Sequence, residues 1–216
     1  MIVSLDNVRR SQLLLQPVRE SSGGLVGLEI ISPYAAAGSS DDIALFADKL
    51  NLLARSELFF IRRRLAAWIS ITPAAAGAML SDPALMACAR RFPGLSLLIN
   101  EDFADAELLA ALKQDFTLVL ANFGAGDAAS GFAFSGIFSA VFFDADFIRY
   151  QIARASFAPF MRALMGQMSP NFSAVMAAGV DDEFTLAQLS PWGLNAMKGD
   201  LWPAVGLDQL TQLVQE

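Results

Sequence analysis

The chain predicts a single α/β domain spanning residues 1–216, with a mostly parallel sheet closed into a (β/α) barrel. Three observations lead there. Short apolar runs alternate with longer stretches of helical period along the sequence. No linker, repeat or low-complexity tract interrupts that alternation. The 216 residues, 55% of them hydrophobic, are enough for one large core. Many strands spaced by helices imply parallel neighbours, and closure into a barrel leaves no exposed edge.

Gln12 to Val18 reads as a strand, followed by the turn residues Ser21-Ser22-Gly23-Gly24 and a second strand, Leu25 to Ile31. So short a connection makes the two a hairpin or close pair. Ser40 or Asp41 is placed to cap the next helix. From Asp42 to Ala67, Leu45, Phe46, Leu50, Leu53, Leu58, Ile61 and Leu65 recur at helical spacing. Trp68 to Ile71 is a short strand ended by Thr72-Pro73. Ser81-Asp82-Pro83 opens a helix through Arg91, with proline in the first turn. Strands follow at Leu95–Ile99, Phe116–Leu120, Ala140–Asp144, Ser173–Ala177 and Ala196–Met197. Helices are expected at Asp105–Gln114, Gly131–Ser139, Phe147–Met168 (broken or kinked at Pro159), Glu183–Leu189 and Asp208–Gln215.

Composition excludes several functions. A net charge of −7 repels phosphate backbones, which argues against direct DNA binding. The basic run Arg62-Arg63-Arg64 reads as the solvated face of an amphipathic helix. One cysteine, Cys88, among small apolar neighbours reads as a buried thiol, so no intrachain disulfide forms, consistent with a cytoplasmic protein. With no histidine, the usual general base and the commonest transition-metal ligand are missing. No run of about 20 apolar residues offers a membrane span, and Asp6, Arg9 and Arg10 interrupt any secretory signal.

The most informative stretch is Leu120-Ala121-Asn122-Phe123-Gly124-Ala125-Gly126. It resembles the Asp-Asp-Phe-Gly-Thr-Gly loop of EAL domains, the phosphodiesterases that hydrolyse cyclic di-GMP, but both metal-binding Asp residues are replaced, by Ala121 and Asn122. Leu15-Gln16-Pro17-Val18 resembles the opening Gln-Pro-Ile strand. Val26 to Ile31 resembles the Glu-Ala-Leu strand, with Glu29 at its carboxylate. Ile69 to Pro73 is similar to Val-Asn-Leu-Ser-Pro, with Ser70 in place of Asn. Leu97 to Glu101 is similar to Glu-Ile-Thr-Glu and keeps Glu101. Farther on, Phe142 replaces the active-site Lys, Ala178 a Glu, and Lys198 a Gln, while Pro33 replaces a ligand-contacting Arg.

The resemblance implies an EAL-type barrel without catalysis, metal or other cofactor. Neither Ala121 nor Asn122 supplies an anionic oxygen to a hard cation. Glu29 and Glu101 then read as remnants hydrogen-bonded at the barrel mouth; a retained weak metal site is the other reading. Cyclic di-GMP reception without hydrolysis is the alternative function. Loss of cations at Pro33 and Phe142 argues against it, although Lys198 could partly compensate and Gln16 could read a base edge.

Within degenerate EAL domains, several segments are similar to the EAL-like anti-FlhDC factors. They are Phe59-Phe60-Ile61 leading to Ala67-Trp68, Leu97 to Glu101, Gly124-Ala125-Gly126, Ser156 to Ala163, Leu201 to Val205 and Thr211 to Val214. This implies a cytoplasmic protein that binds the FlhD subunit of the flagellar master activator, keeps it from promoter DNA and represses motility genes. Phe134, at a site often Arg in active members, is a candidate partner contact. Repacking of Phe132, Phe134 and Phe138 against the barrel wall is the competing reading. Phe142 is expected to plug the emptied pocket, and Trp192 and Trp202 to pack.

Overall fold

The computed structural model describes residues 13–33, 38–103, 105–126 and 130–214. Eight strands close a barrel in chain order. β1 (Leu14–Arg19) and β2 (Leu25–Ile31) form the antiparallel hairpin, with Gln16 opposite Glu29. β3 (Ala66–Ser70), β4 (Leu95–Asn100), β5 (Thr117–Phe123), β6 (Ala140–Phe143), β7 (Ala174–Ala177) and β8 (Ala196–Met197) run parallel to β2, and β8 closes antiparallel onto β1. The expected start of β1 at Gln12 lies outside the described residues.

The period-two alternation of the strands divides the core. One phase, including Leu28, Ile69, Leu97 and Val141, packs outward under the helices. The other, including Val18, Trp68, Leu98, Val119, Phe142 and Met176, fills the barrel. Trp68 and Phe142 meet edge to face with centroids 6.0 Å apart, so the interior is packed rather than a channel.

Helix boundaries depart from expectation where backbone geometry decides. α1 (Ser39–Arg63) has Gly38 at its N-cap without a side-chain cap. Ser40 and Asp41 therefore lie inside the helix instead of capping it, and Asp41 and Asp42 face the positive end of its dipole. α1 stops four residues short of Ala67 because Arg64 turns left-handed at φ 55°, and Leu65 N–H closes back on the Phe60 carbonyl. A helix not expected, α2 (Pro73–Ser81), follows Thr72, whose hydroxyl accepts from Ala75 N–H at 3.3 Å. Its signal was Thr-Pro ahead of an alanine-rich run, a cap followed by a first-turn proline.

Asp82 ends α2 and caps α3 (Pro83–Arg90), accepting from Ala84 N–H at 2.8 Å. Asp82→Ala is expected to cost about 1 kcal/mol, read by urea denaturation. Asp105 caps α4 (Ala106–Leu112), and α5 shrinks to Ser130–Ala133. The long helix expected from Phe147 to Met168 is two: α6 (Ala145–Ile152), capped by Asp144, and α7 (Phe157–Met168). The break precedes Ser156. Pro159 sits in the first turn of α7, where no backbone N–H is needed, so it kinks nothing. α8 (Glu183–Leu189) matches its expected bounds, and the C-terminal segment Leu207–Val214 is a 3-10 helix rather than an α-helix. No described helix is long and apolar enough to cross a membrane.

Candidate functional site

The inward phase that fills the barrel brings Gln16, Glu29, Ser70, Ala121, Phe142, Ala178 and Lys198 toward one end of it, where the parallel strands finish. The residues singled out from sequence are thus largely gathered at one mouth. What they form there is an ion-pair cluster. The Lys198 ammonium bonds the Glu29 carboxylate, with both side chains largely buried, and lies 4.7 Å from the centre of the Phe142 ring. Phe142 is itself fully buried and carries the ammonium over its ring.

A second ammonium was missed by sequence reasoning. Lys49 of α1 is buried and donates to Ser70 Oγ at 2.7 Å. Burial pushes its pKa below the ordinary 10.5, while Glu29 and Asp42 pull it back up. Its signal was a lysine in phase with Phe46, Leu52 and Leu53 on the face of α1 that packs inward. A lowered lysine pKa means the unfolded chain holds this proton more tightly than the folded one. The resulting cost is full at neutral pH and fades as pH rises toward 10.5. In urea titrations at pH 7 and pH 10, wild type is therefore expected to gain stability relative to Lys49→Met as pH rises.

Glu101 is occupied otherwise. Its carboxylate accepts from the N–H groups of Gly124 at 3.3 Å and Gly126 at 3.1 Å, clasping the loop after β5. Asn122 adopts a left-handed φ of 56° where the register of β5 against β6 shifts, and it donates to Asn100 Oδ1 at 3.1 Å. Gly124 has φ 97°, and an added Cβ would lie 2.6 Å from the Phe147 ring. The loop keeps its backbone shape through these contacts, while Ala121 presents only a methyl group to the barrel interior.

A cleft of about 260 Å³ opens beside this cluster, lined by Glu29, Lys198, Arg149, Asp181, Ala178 and Gly199. Arg149 bonds Asp181 at 2.6 Å and Asp146 at 2.6 Å. Burial works to raise the Asp181 pKa, but the Asp200 N–H and the Arg149 guanidinium outweigh it and hold it below the ordinary range. Both cations of the cleft, Lys198 and Arg149, are thus already paired with carboxylates. The residues present do not fit a divalent metal. Glu29 is neutralised by Lys198, Glu101 is held by backbone N–H groups, and no group of three or more acidic, cysteine or histidine side chains among the described residues is arranged for an ion. Pro33 is exposed at the end of β2 and supplies no donor.

Phe134 is half-buried, its ring 5.8 Å from that of Phe172, and Phe132 meets Phe138 edge to face at 5.1 Å. Phe134 thus packs against its neighbours while keeping part of its surface exposed. Trp192 packs on Phe157, and Trp202 lies against the core. Gln16 donates to the Trp202 carbonyl at 2.7 Å and so braces the C-terminal segment rather than facing a free base site.

No family model matches the chain. Full-length comparison does find relatives. The chain is 38% identical to the anti-FlhC(2)FlhD(4) factor YdiV of Salmonella arizonae over an alignment of 236 positions that covers all of both chains. It is 34% identical, again over all of both chains, to the putative anti-FlhC(2)FlhD(4) factor YdiV of Escherichia coli K12. Among solved structures, the EAL-like domain protein YdiV superposes with a TM-score of 0.84 at 34% identity, over 94% of this chain and 96% of that one. The EAL domain of Mycobacterium smegmatis DcpA superposes with a TM-score of 0.76 at 18% identity, over 94% and 97%, which speaks for the shared fold alone.

Proposed function

Because this chain belongs to the family of anti-FlhC(2)FlhD(4) factors of the YdiV type, we propose that it is a non-catalytic regulator that binds the FlhD subunit of FlhC(2)FlhD(4), keeps the activator from promoter DNA and represses motility genes. The observation that carries this reading is the full-length match at 38% identity. The chemistry of the barrel mouth supports it. Water activation by divalent ions needs several anionic oxygens around each ion. Here a lysine ammonium bonds Glu29, and alanine stands at one of the two Asp positions. With no reacting centre, what remains to act is surface, which suits inhibition by occupancy. A cytoplasmic location follows from that proposed partner.

The test is complex formation between the purified chain and purified FlhC(2)FlhD(4), read by size-exclusion chromatography, with loss of promoter-DNA binding by the activator in a gel-shift assay. A stable complex and released DNA are expected. Absence of a complex at micromolar concentrations overturns the reading. Cyclic di-GMP reception would require Lys198 or Arg149 to leave its carboxylate partner, and calorimetry is expected to show no heat of binding.

A further inference from the structure

The geometry points to the last two turns of α1 and the clefts beside them as the docking face, and to an acidic, apolar-bearing segment of the FlhC(2)FlhD(4) complex as its occupant. This rests on the function proposed above. Leu58 and Ile61 lie one turn apart on the outward side of α1 and are 66% and 56% exposed, among the most exposed large apolar residues described. Arg55 and Arg62 flank Leu58 on the same side of the helix, and Arg63 and Arg64 follow. Among the described residues, Arg55, Arg62 and Arg64 form no ion pair, and Arg63 lies over the Phe59 ring.

The ridge these residues form separates two clefts. One, of about 410 Å³, runs between Ile61, Arg64 and the Phe92-Pro93-Gly94 turn. The other, of about 720 Å³, runs between Arg55, Leu58 and the C-terminal residues Leu207 and Leu210. The first lies at the end of the barrel where β3 and β4 begin, opposite the ion-paired mouth.

The helix dipole accounts for Arg62 and Arg63 in the last turn. It does not account for two aliphatic side chains left in water among them. A lipid surface would require a broad apolar face, and that face of α1 is already committed to the barrel through Phe46, Leu50 and Leu53. Charge selects the partner. Four arginines and one carboxylate, Glu57, itself paired with Arg91, occupy residues 55–64 of a chain whose net charge is −7. An acidic segment is repelled by most of this surface and drawn to this face, where its apolar side chains meet Leu58, Ile61 and the flanking clefts.

The test uses the full chain and FlhC(2)FlhD(4) by surface plasmon resonance. Leu58→Ser/Ile61→Ser and Arg55→Glu/Arg62→Glu are each expected to weaken binding about tenfold or more, and Arg55→Lys/Arg62→Lys to retain most of it. Thermal melts of all three are expected to match wild type, because the side chains are exposed. Wild-type binding that both disruptive variants preserve overturns the docking face and leaves the proposed function standing. Failure of wild type to bind overturns both. Sedimentation of wild type with phosphatidylglycerol vesicles, lost in the arginine variant, would assign the face to a membrane and overturn the protein partner.

Discussion

Lys198→Met is expected to destabilise the protein by about 3–5 kcal/mol at neutral pH, because it leaves the Glu29 carboxylate largely buried without its cation. Methionine fills a similar volume, so little of the loss comes from a cavity. The charge imbalance carries the effect, and a double-mutant cycle isolates it. Glu29→Gln added to Lys198→Met is expected to recover most of the stability, since removing both charges of a buried pair is often nearly neutral. Urea denaturation of the four proteins is the measurement. If the double variant is as unstable as Lys198→Met, the pair does not hold the barrel mouth together.

Gly199→Ala is expected to have a comparably large effect for a steric reason. An added Cβ would lie 2.2 Å from the Val180 carbonyl oxygen and 2.4 Å from the Val180 carbonyl carbon. That backbone is pinned, because Val180 N–H donates to the Lys198 carbonyl and the Val180 carbonyl accepts from Leu201 N–H, each at 3.1 Å. No flexible side chain can give way, so the cost is about 3 kcal/mol or more. Gly77→Ala is the control. Nothing lies within 4 Å of its added Cβ and it sits inside α2, so a gain of about 1 kcal/mol is expected. Equal melting temperatures for the two variants would refute the close approach at Gly199.

The closed barrel was legible in the sequence because its signals are local. The β1–β2 hairpin follows from two apolar runs separated by Ser21-Ser22-Gly23-Gly24, and α8 from seven residues flanked by Asp182 and Ser190. The turn at Arg64 was not legible, since an arginine in left-handed geometry leaves no mark in composition, and apolar periodicity ran on through Leu65. Pro159 misled for a related reason. Proline breaks a helix interior and suits a first turn, and only the backbone shows which position it holds.

At the barrel mouth, Glu29, Ser70, Phe142 and Lys198 were each singled out from family resemblance. The contacts among them were not legible. Lys198 meets Glu29 across 169 residues of sequence, and Lys49 reaches Ser70 from a helix between them. Side chains so far apart in the chain carry no spacing by which a sequence could announce that they meet. Phe134 allows two readings from sequence, an outward contact and packing on the barrel wall, and the Phe172 ring beside it is an observation for the second.

The ammonium at the barrel mouth is tethered to the chain. A soluble ion is acquired after folding and surrendered to a chelator; a lysine arrives with translation and stays. Its local supply is constant whatever the cell's mineral status. The charge that offsets Glu29 is therefore in place as soon as the barrel closes.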